Sequence, residues 1–176
     1  VRALAAEVKG FRPSDHLTVA EARRAGRCSA FALAAARMAV EDARLAPRDL
    51  ANERAAVVLG TTMGEADVIG ALDAAWIREG RDAVSRAVLP RYAPSLLPVH
   101  VARALGCESM VLTLPAACAA GNYALGFAAD VLRRGQADIA VTGASEMLQE
   151  LQFSGFVRLG AVAPECCQPF DLNRQG

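Results

Sequence analysis

The stretch Met110-Val111-Leu112-Thr113-Leu114-Pro115-Ala116-Ala117-Cys118-Ala119-Ala120-Gly121-Asn122-Tyr123-Ala124-Leu125-Gly126-Phe127-Ala128-Ala129-Asp130 decides the fold. Its first residues make an apolar run of strand length that stops at Pro115. One thiol follows at Cys118, and small residues then continue at helical spacing toward Arg133, Arg134 and Gly135, where glycine is a natural C-terminal cap. A strand turning into a helix in this way sets a single cysteine at a helix N-terminus. Unpaired backbone N–H groups and the positive end of the helix dipole there favour the thiolate, which is the nucleophilic form.

The helix after Cys118 carries no charge from Ala119 to Ala129, and only Asn122 and the Tyr123 hydroxyl are polar. A helix apolar all round is buried all round, so this one is expected to lie between two layers. Downstream, Ala137 to Thr142 reads as a buried strand closed by Gly143, which completes a strand-helix-strand unit of a parallel sheet. Upstream, Ala55 to Leu59 is a continuous apolar run followed by Gly60, the mark of a strand covered on both faces. Gly60-Thr61-Thr62-Met63-Gly64 then leads into a helix ending near Gly80. That loop lacks the P-loop lysine and the Gly-x-Gly-x-x-Gly spacing, so it does not read as a phosphate cradle.

Further out, residues 1 to 17 read as a short strand or extended arm and a loop. Thr18-Val19-Ala20-Glu21 has capping-box spacing and starts a helix, and an alanine-rich helical pattern continues from Ser29 to Leu45. Arg23, Arg24 and Arg27 lie on or just after the first turns. Arg81 to Arg91 reads as a loop. Pro94 opens a helix reaching Leu105, with Gly106 past its end and Pro98 expected to make the first turn irregular or kinked. Ser145 to Gly160 is helical or irregular, and 168–176 is turn-rich.

Composition excludes several classes. The 176 residues are 53% hydrophobic, too apolar for disorder and enough for a core. Nineteen acids balance nineteen bases, which leaves no field for nucleic acid. Five cysteines, Cys28, Cys107, Cys118, Cys166 and Cys167, have no repeated C-x-x-C spacing, so neither a zinc site nor a disulfide framework is indicated and no metal is expected. A reducing, cytoplasmic setting fits. No run reaches membrane-spanning length, and the N-terminus has no signal-peptide pattern.

Three motifs in this order resemble a known family. They are Ala-Ala-Cys-Ala-Ala-Gly around Cys118, the run Gly-Gln-Ala-Asp-Ile-Ala-Val-Thr-Gly-Ala-Ser-Glu ending at Glu146, and Pro169-Phe170-Asp171-x-x-Arg174-x-Gly176. Together they resemble a β-ketoacyl-[acyl carrier protein] synthase of the thiolase superfamily. The resemblance implies an α/β thiolase-like layered fold (αβαβα), of which 1–176 is the N-terminal half without the opening strand and the whole second half. It also implies a homodimer or heterodimer with a ketosynthase-like chain, joined edge to edge through the strand at about Met110 to Leu114.

The implied chemistry is a decarboxylative Claisen condensation in fatty acid or polyketide biosynthesis. Cys118 matches the nucleophile that takes an acyl group from an acyl carrier protein as a thioester, and its own N–H is the expected oxyanion donor. The chain needs no cofactor of its own, because the acyl group rides on the phosphopantetheine of the partner carrier protein. Met63 matches a residue that lines or gates the acyl pocket, and Arg23 and Arg24 match basic residues that meet the acidic carrier protein. Departures are Pro115 in place of a small residue, with loss of a strand hydrogen bond expected, and Cys28 in place of an aromatic. His16 and His100 do not match the two catalytic histidines, which lie in the family's second half, so the chain alone is expected to be inactive. The alternatives are a non-catalytic, chain-length-factor-like partner and a thiolase-fold acyltransferase that does not decarboxylate.

Overall fold

In the computed structural model, which describes residues 5–51, 54–84, 91 and 93–176, the run Ala55–Gly60 is the middle strand β1 of a parallel sheet. Strands β2 (Met110–Leu114) and β3 (Ile139–Ala144) flank it in the order β2-β1-β3. Ala56 stands opposite Met110 and Ala140, and Gly60 opposite Leu114 and Ala144. Every residue of β1 is buried, as its unbroken apolar run requires of a strand covered on both faces.

Side-chain alternation divides the core in two. Val57 and Leu59 point to one layer, where Leu33 of α2 (Arg27–Asp42) and Leu97 and Val101 of α5 (Leu96–Leu105) pack. Ala56 and Val58 point to the other, against Ala124, Ala128 and Val131 of α6 (Ala120–Arg133). Val57 and Val58 are fully buried and each contributes about 2 kcal/mol by leaving water. Helix, sheet and helix thus form the layers expected of the α/β reading.

Several expectations are corrected. The capping box is present: the Glu21 N–H donates to Thr18 Oγ1 (3.3 Å) and the Thr18 N–H to the Glu21 carboxylate (2.8 Å). However, α1 (Val19–Arg24) stops there, and α2 begins separately at Arg27. Ala25 and Gly26 between them are extended, and Gly26 is the N-cap of α2. The buried Glu65 carboxylate accepts the N–H groups of Cys28 (3.1 Å) and Ser29 (2.7 Å), closing the head of α2 from a distant loop. A side chain on Gly26 would overlap that carboxylate.

After the short α3 (Pro47–Leu50) and α4 (Ala66–Glu79), Arg81–Ala83 forms a single 3-10 turn in the stretch expected as a loop. The rest of that expectation, at 85–90, lies outside the described residues. Pro98 is the third residue of α5, where no intrahelical donor is needed, so it costs the helix no hydrogen bond. The irregularity sits ahead of it, where Leu96 N–H bonds Ala93 O (2.9 Å) and Leu97 N–H bonds Pro94 O (3.2 Å). Pro115 likewise falls just beyond β2, whose pairing with β1 is complete through Leu114, so no ladder bond is lost.

Helix α6 is not enclosed as its composition suggested. It buries Ala120, Ala124, Ala128 and Val131 against the sheet, while Tyr123, Leu125 and Phe127 are exposed on its other side. The 145–160 segment resolves into a loop and α7 (Glu150–Arg158). Among the described residues no helix is long and apolar enough to cross a membrane.

Candidate active site

Because the three strands are parallel, their C-terminal ends share one rim, the place where open parallel sheets bind ligands. Three segments leave the sheet there: the turn after β2 that carries Cys118, the loop after β1 that carries Met63, and the segment after β3 that begins at Ser145.

Cys118 is the middle residue of a 3-10 turn, Ala117–Ala119, directly ahead of α6, and it is a free, exposed thiol. Ala117 before it has φ 48°, a left-handed conformation that costs an L-residue about 1–2 kcal/mol. The turn is closed by the Ala119 N–H on the Ala116 carbonyl (3.1 Å) and anchored by small residues on both neighbouring strands. The Ala120 carbonyl rests against Gly60 of β1, where a side chain would overlap it, and a Cβ on Gly121 would come within 3.2 Å of the Ala144 Cβ of β3. The 3-10 turn takes the Ala119 N–H on the Ala116 carbonyl and the Ala120 N–H on the Ala117 carbonyl, so the turn closes the head of α6 and leaves the Cys118 sulfur accessible on it.

Met63 is half-buried in the loop beyond β1, the strand beside the one that leads to Cys118. The loop is braced from the segment that follows β3. Glu146 Oε1 accepts the Thr61 hydroxyl (3.0 Å) and the Thr62 N–H, and Gln149 Nε2 reaches Met63 Sδ at 3.8 Å. Cys28, which stands where an aromatic was expected, is fully buried: its Sγ donates to the Ser145 carbonyl (3.2 Å) and the Ser145 hydroxyl donates to the Cys28 carbonyl (2.8 Å). Burial pushes this thiol up to about 12, and the Glu65 and Glu146 carboxylates add to the effect. Cys28 is therefore an inert structural thiol that ties α2 to the end of β3.

Arg23 and Arg24 are the exposed last residues of α1. Arg24 also borders a small cavity with Glu21, Leu33, His100 and Arg103. Burial lowers the pKa of His100; Glu65 opposes the shift, while Arg103 and Arg24 reinforce it. His16 lies with its ring stacked on Phe11 at 5.4 Å between centroids. Neither histidine belongs to the Cys118 turn. Sequence reasoning gave no role to Glu65, Gln149 or Gly60, and quoted Glu146 only as part of a motif. A polar residue just beyond each of two apolar strands was the available signal for Thr61 and Glu146.

Residues 4–176 match the family model described as Beta-ketoacyl synthase, N-terminal domain. The chain is 31% identical over 179 aligned residues to 3-oxoacyl-[acyl-carrier-protein] synthase 2 of Staphylococcus aureus (strain N315), covering 98% of this chain and 43% of that protein. It thus spans less than half the length of the curated relatives it matches. Among solved structures, "The ishigamide ketosynthase/chain length factor" superposes with a TM-score of 0.87 at 36% identity, covering 97% of this chain and 43% of that one. A second, described as a type II PKS acyl-carrier protein in complex with its ketosynthase bound to the hexaketide, gives a TM-score of 0.77 at 31% identity, covering 85% and 40%.

Proposed function

The chain belongs to the β-ketoacyl synthase family, and from that premise we propose that Cys118 accepts an acyl group from an acyl carrier protein as the first half of a decarboxylative Claisen condensation. The observation that carries this reading is the exposed Cys118 thiol on a turn strained at Ala117, at the head of α6. Attack of the thiolate on the carrier thioester forms the Cys118 thioester and releases the phosphopantetheine thiol. The Cys118 N–H faces the tetrahedral oxyanion in the proposed step. A malonyl-type unit then loses carbon dioxide and adds to the bound acyl group, in fatty acid or polyketide biosynthesis.

In this reading residues 1–176 are the N-terminal half of a ketosynthase domain, and the two histidines for decarboxylation come from its second half. The enzyme works in the cytoplasm as a homodimer or heterodimer with a ketosynthase-like chain, joined along the β2 edge, and needs no cofactor of its own. Met63 borders the acyl pocket, and Arg23 and Arg24 meet the carrier protein. A chain-length-factor-like, non-catalytic role would leave the exposed Cys118 without a purpose.

The test is to incubate the assembled enzyme with an acyl carrier thioester and to look for the acyl mass on the peptide containing Cys118. An adduct there, absent from Cys118→Ala, is the expected result. A folded enzyme with no adduct overturns the reading.

A further inference from the structure

Met63 is held from outside its own loop, and the holds come from one place, the segment that follows β3. Glu146 Oε1 accepts both the Thr61 hydroxyl (3.0 Å) and the Thr62 N–H. Thr61 Oγ1 in turn accepts the Gly64 N–H (3.0 Å), so the backbone on either side of Met63 is tied to one threonine and one carboxylate. A carboxylate taking two donors is among the firmer polar anchors available to a loop.

Three residues beyond Glu146, Gln149 divides its amide between two tasks. Its Oε1 accepts the Leu151 N–H (2.9 Å) as the N-cap of α7, and its Nε2 donates to Met63 Sδ at 3.8 Å. Because the cap fixes which way the oxygen faces, the amide nitrogen is turned toward the thioether. A thioether is a weak acceptor, so this contact orients a side chain more than it binds one. Methionine needs such orientation, since its unbranched chain has three rotatable bonds and settles where its neighbours put it.

We propose that Glu146 and Gln149 are positioning residues that set where the Met63 side chain stands, and thereby set the acyl chain lengths that Cys118 accepts. The proposal rests on the reading of Met63 as an acyl-pocket residue. Glu146 fixes the loop backbone, and Gln149 selects the rotamer of the side chain it carries. A wall moved by the size of one methylene changes selection in an apolar pocket by about tenfold or more.

The experiment measures Cys118 acylation in the assembled enzyme by intact mass, using a butanoyl and a dodecanoyl thioester of N-acetylcysteamine, and reads the ratio of the two rate constants. Gln149→Glu keeps an oxygen to cap α7 and removes the donor to sulfur. It is expected to shift the ratio about tenfold with an unchanged thermal midpoint. Glu146→Ala is expected to shift it in the same direction as Met63→Ala, and Glu146→Gln, which retains an acceptor oxygen, to keep the original ratio. In a Met63→Ala background Gln149→Glu should add nothing. If Met63→Ala moves the ratio while Gln149→Glu and Glu146→Ala do not, the positioning role is wrong. A Gln149→Glu shift that persists without the methionine also overturns it. If Met63→Ala itself leaves the ratio unmoved, the pocket reading fails and takes the proposal with it.

Discussion

The Ala120 carbonyl oxygen occupies the space in which a side chain on Gly60 would have to stand. This contact joins the end of the central strand to the first turn of α6, two residues after Cys118. Substituting Gly60→Ala forces the backbone of α6 away from the sheet, since neither partner is a flexible side-chain end that could yield. Displacement of a reacting group by about 1 Å costs about 100-fold in rate, so Cys118 acylation should fall by about that factor. Overpacking should also cost about 1–3 kcal/mol of stability. Acylation kinetics and urea unfolding of the same variant separate the two effects; an unchanged acylation rate would show that the turn is not positioned through Gly60.

Glu65 presents the next case. It is 4% exposed, and its two oxygens take the N–H groups of Cys28 and Ser29. Glu65→Ala leaves both donors buried without that acceptor, at a cost of about 3 kcal/mol. Glu65→Gln keeps one acceptor oxygen and should lose about half as much. The urea midpoint at constant slope reads the difference, and a Glu65→Gln midpoint equal to the parent's beside a large loss in Glu65→Ala would argue that volume, not capping, is what Glu65 supplies.

The Cys118 corner was legible because each of its signals is local: an apolar run of strand length, a proline that stops it, and small residues at helical spacing. The three strands fell within two residues of their expected bounds for the same reason. Glu65 was not legible as a cap, because it lies 37 residues from Cys28 in the chain and only the fold brings them together. The separation of α1 from α2 had one local signal, Gly26, which is the N-cap of α2, while the Glu65 carboxylate packed against that glycine is visible only in the fold. For α6 the limit is a different one. Apolarity at Tyr123, Leu125 and Phe127 reports that a face prefers cover, and it does not say which element supplies it; here those residues stand 64%, 52% and 39% exposed.

The thiols should separate by burial. Cys118, Cys166 and Cys167 are exposed, whereas Cys28 and Cys107 are buried, with burial raising the pKa of both. Iodoacetamide on the native protein should label the first three and spare the other two, as read by peptide mass. Labelling of Cys28 at a rate near that of Cys118 would contradict the packing of α2 on Ser145.

Cys28 also gives stability a pH dependence. Its ordinary value is 9.0 and burial pushes it up to about 12. Above pH 9.0 the unfolded chain releases this proton while the folded chain keeps it, so rising pH favours unfolding. The contribution of Cys28 is full below about pH 9 and is lost as pH rises toward about 12, with a slope of at most about 1.4 kcal/mol per pH unit. Cys28→Ser removes the titration and keeps a hydroxyl for the Ser145 carbonyl. Urea unfolding between pH 8 and pH 10.5 should therefore fall less steeply in Cys28→Ser than in the parent; parallel curves would exclude Cys28 as the source.

Arg23 and Arg24 stand together at the exposed end of α1, a position suited to long-range attraction and poor at conferring stability. Exposed ion pairs are worth up to about 1 kcal/mol each, so reversing both charges should weaken a carrier-protein encounter by tenfold or somewhat more. Because the chemistry at Cys118 is untouched, the change should appear in KM for the acyl carrier substrate and not in kcat. It should shrink as salt is raised, since exposed charges are screened within about 10 Å at 0.1 M. The same Arg23→Glu, Arg24→Glu variant should acylate normally from an N-acetylcysteamine thioester, which has no protein to dock. An equal loss with both substrates would instead place the two arginines in the support of the fold, through the cavity that Arg24 shares with His100 and Arg103.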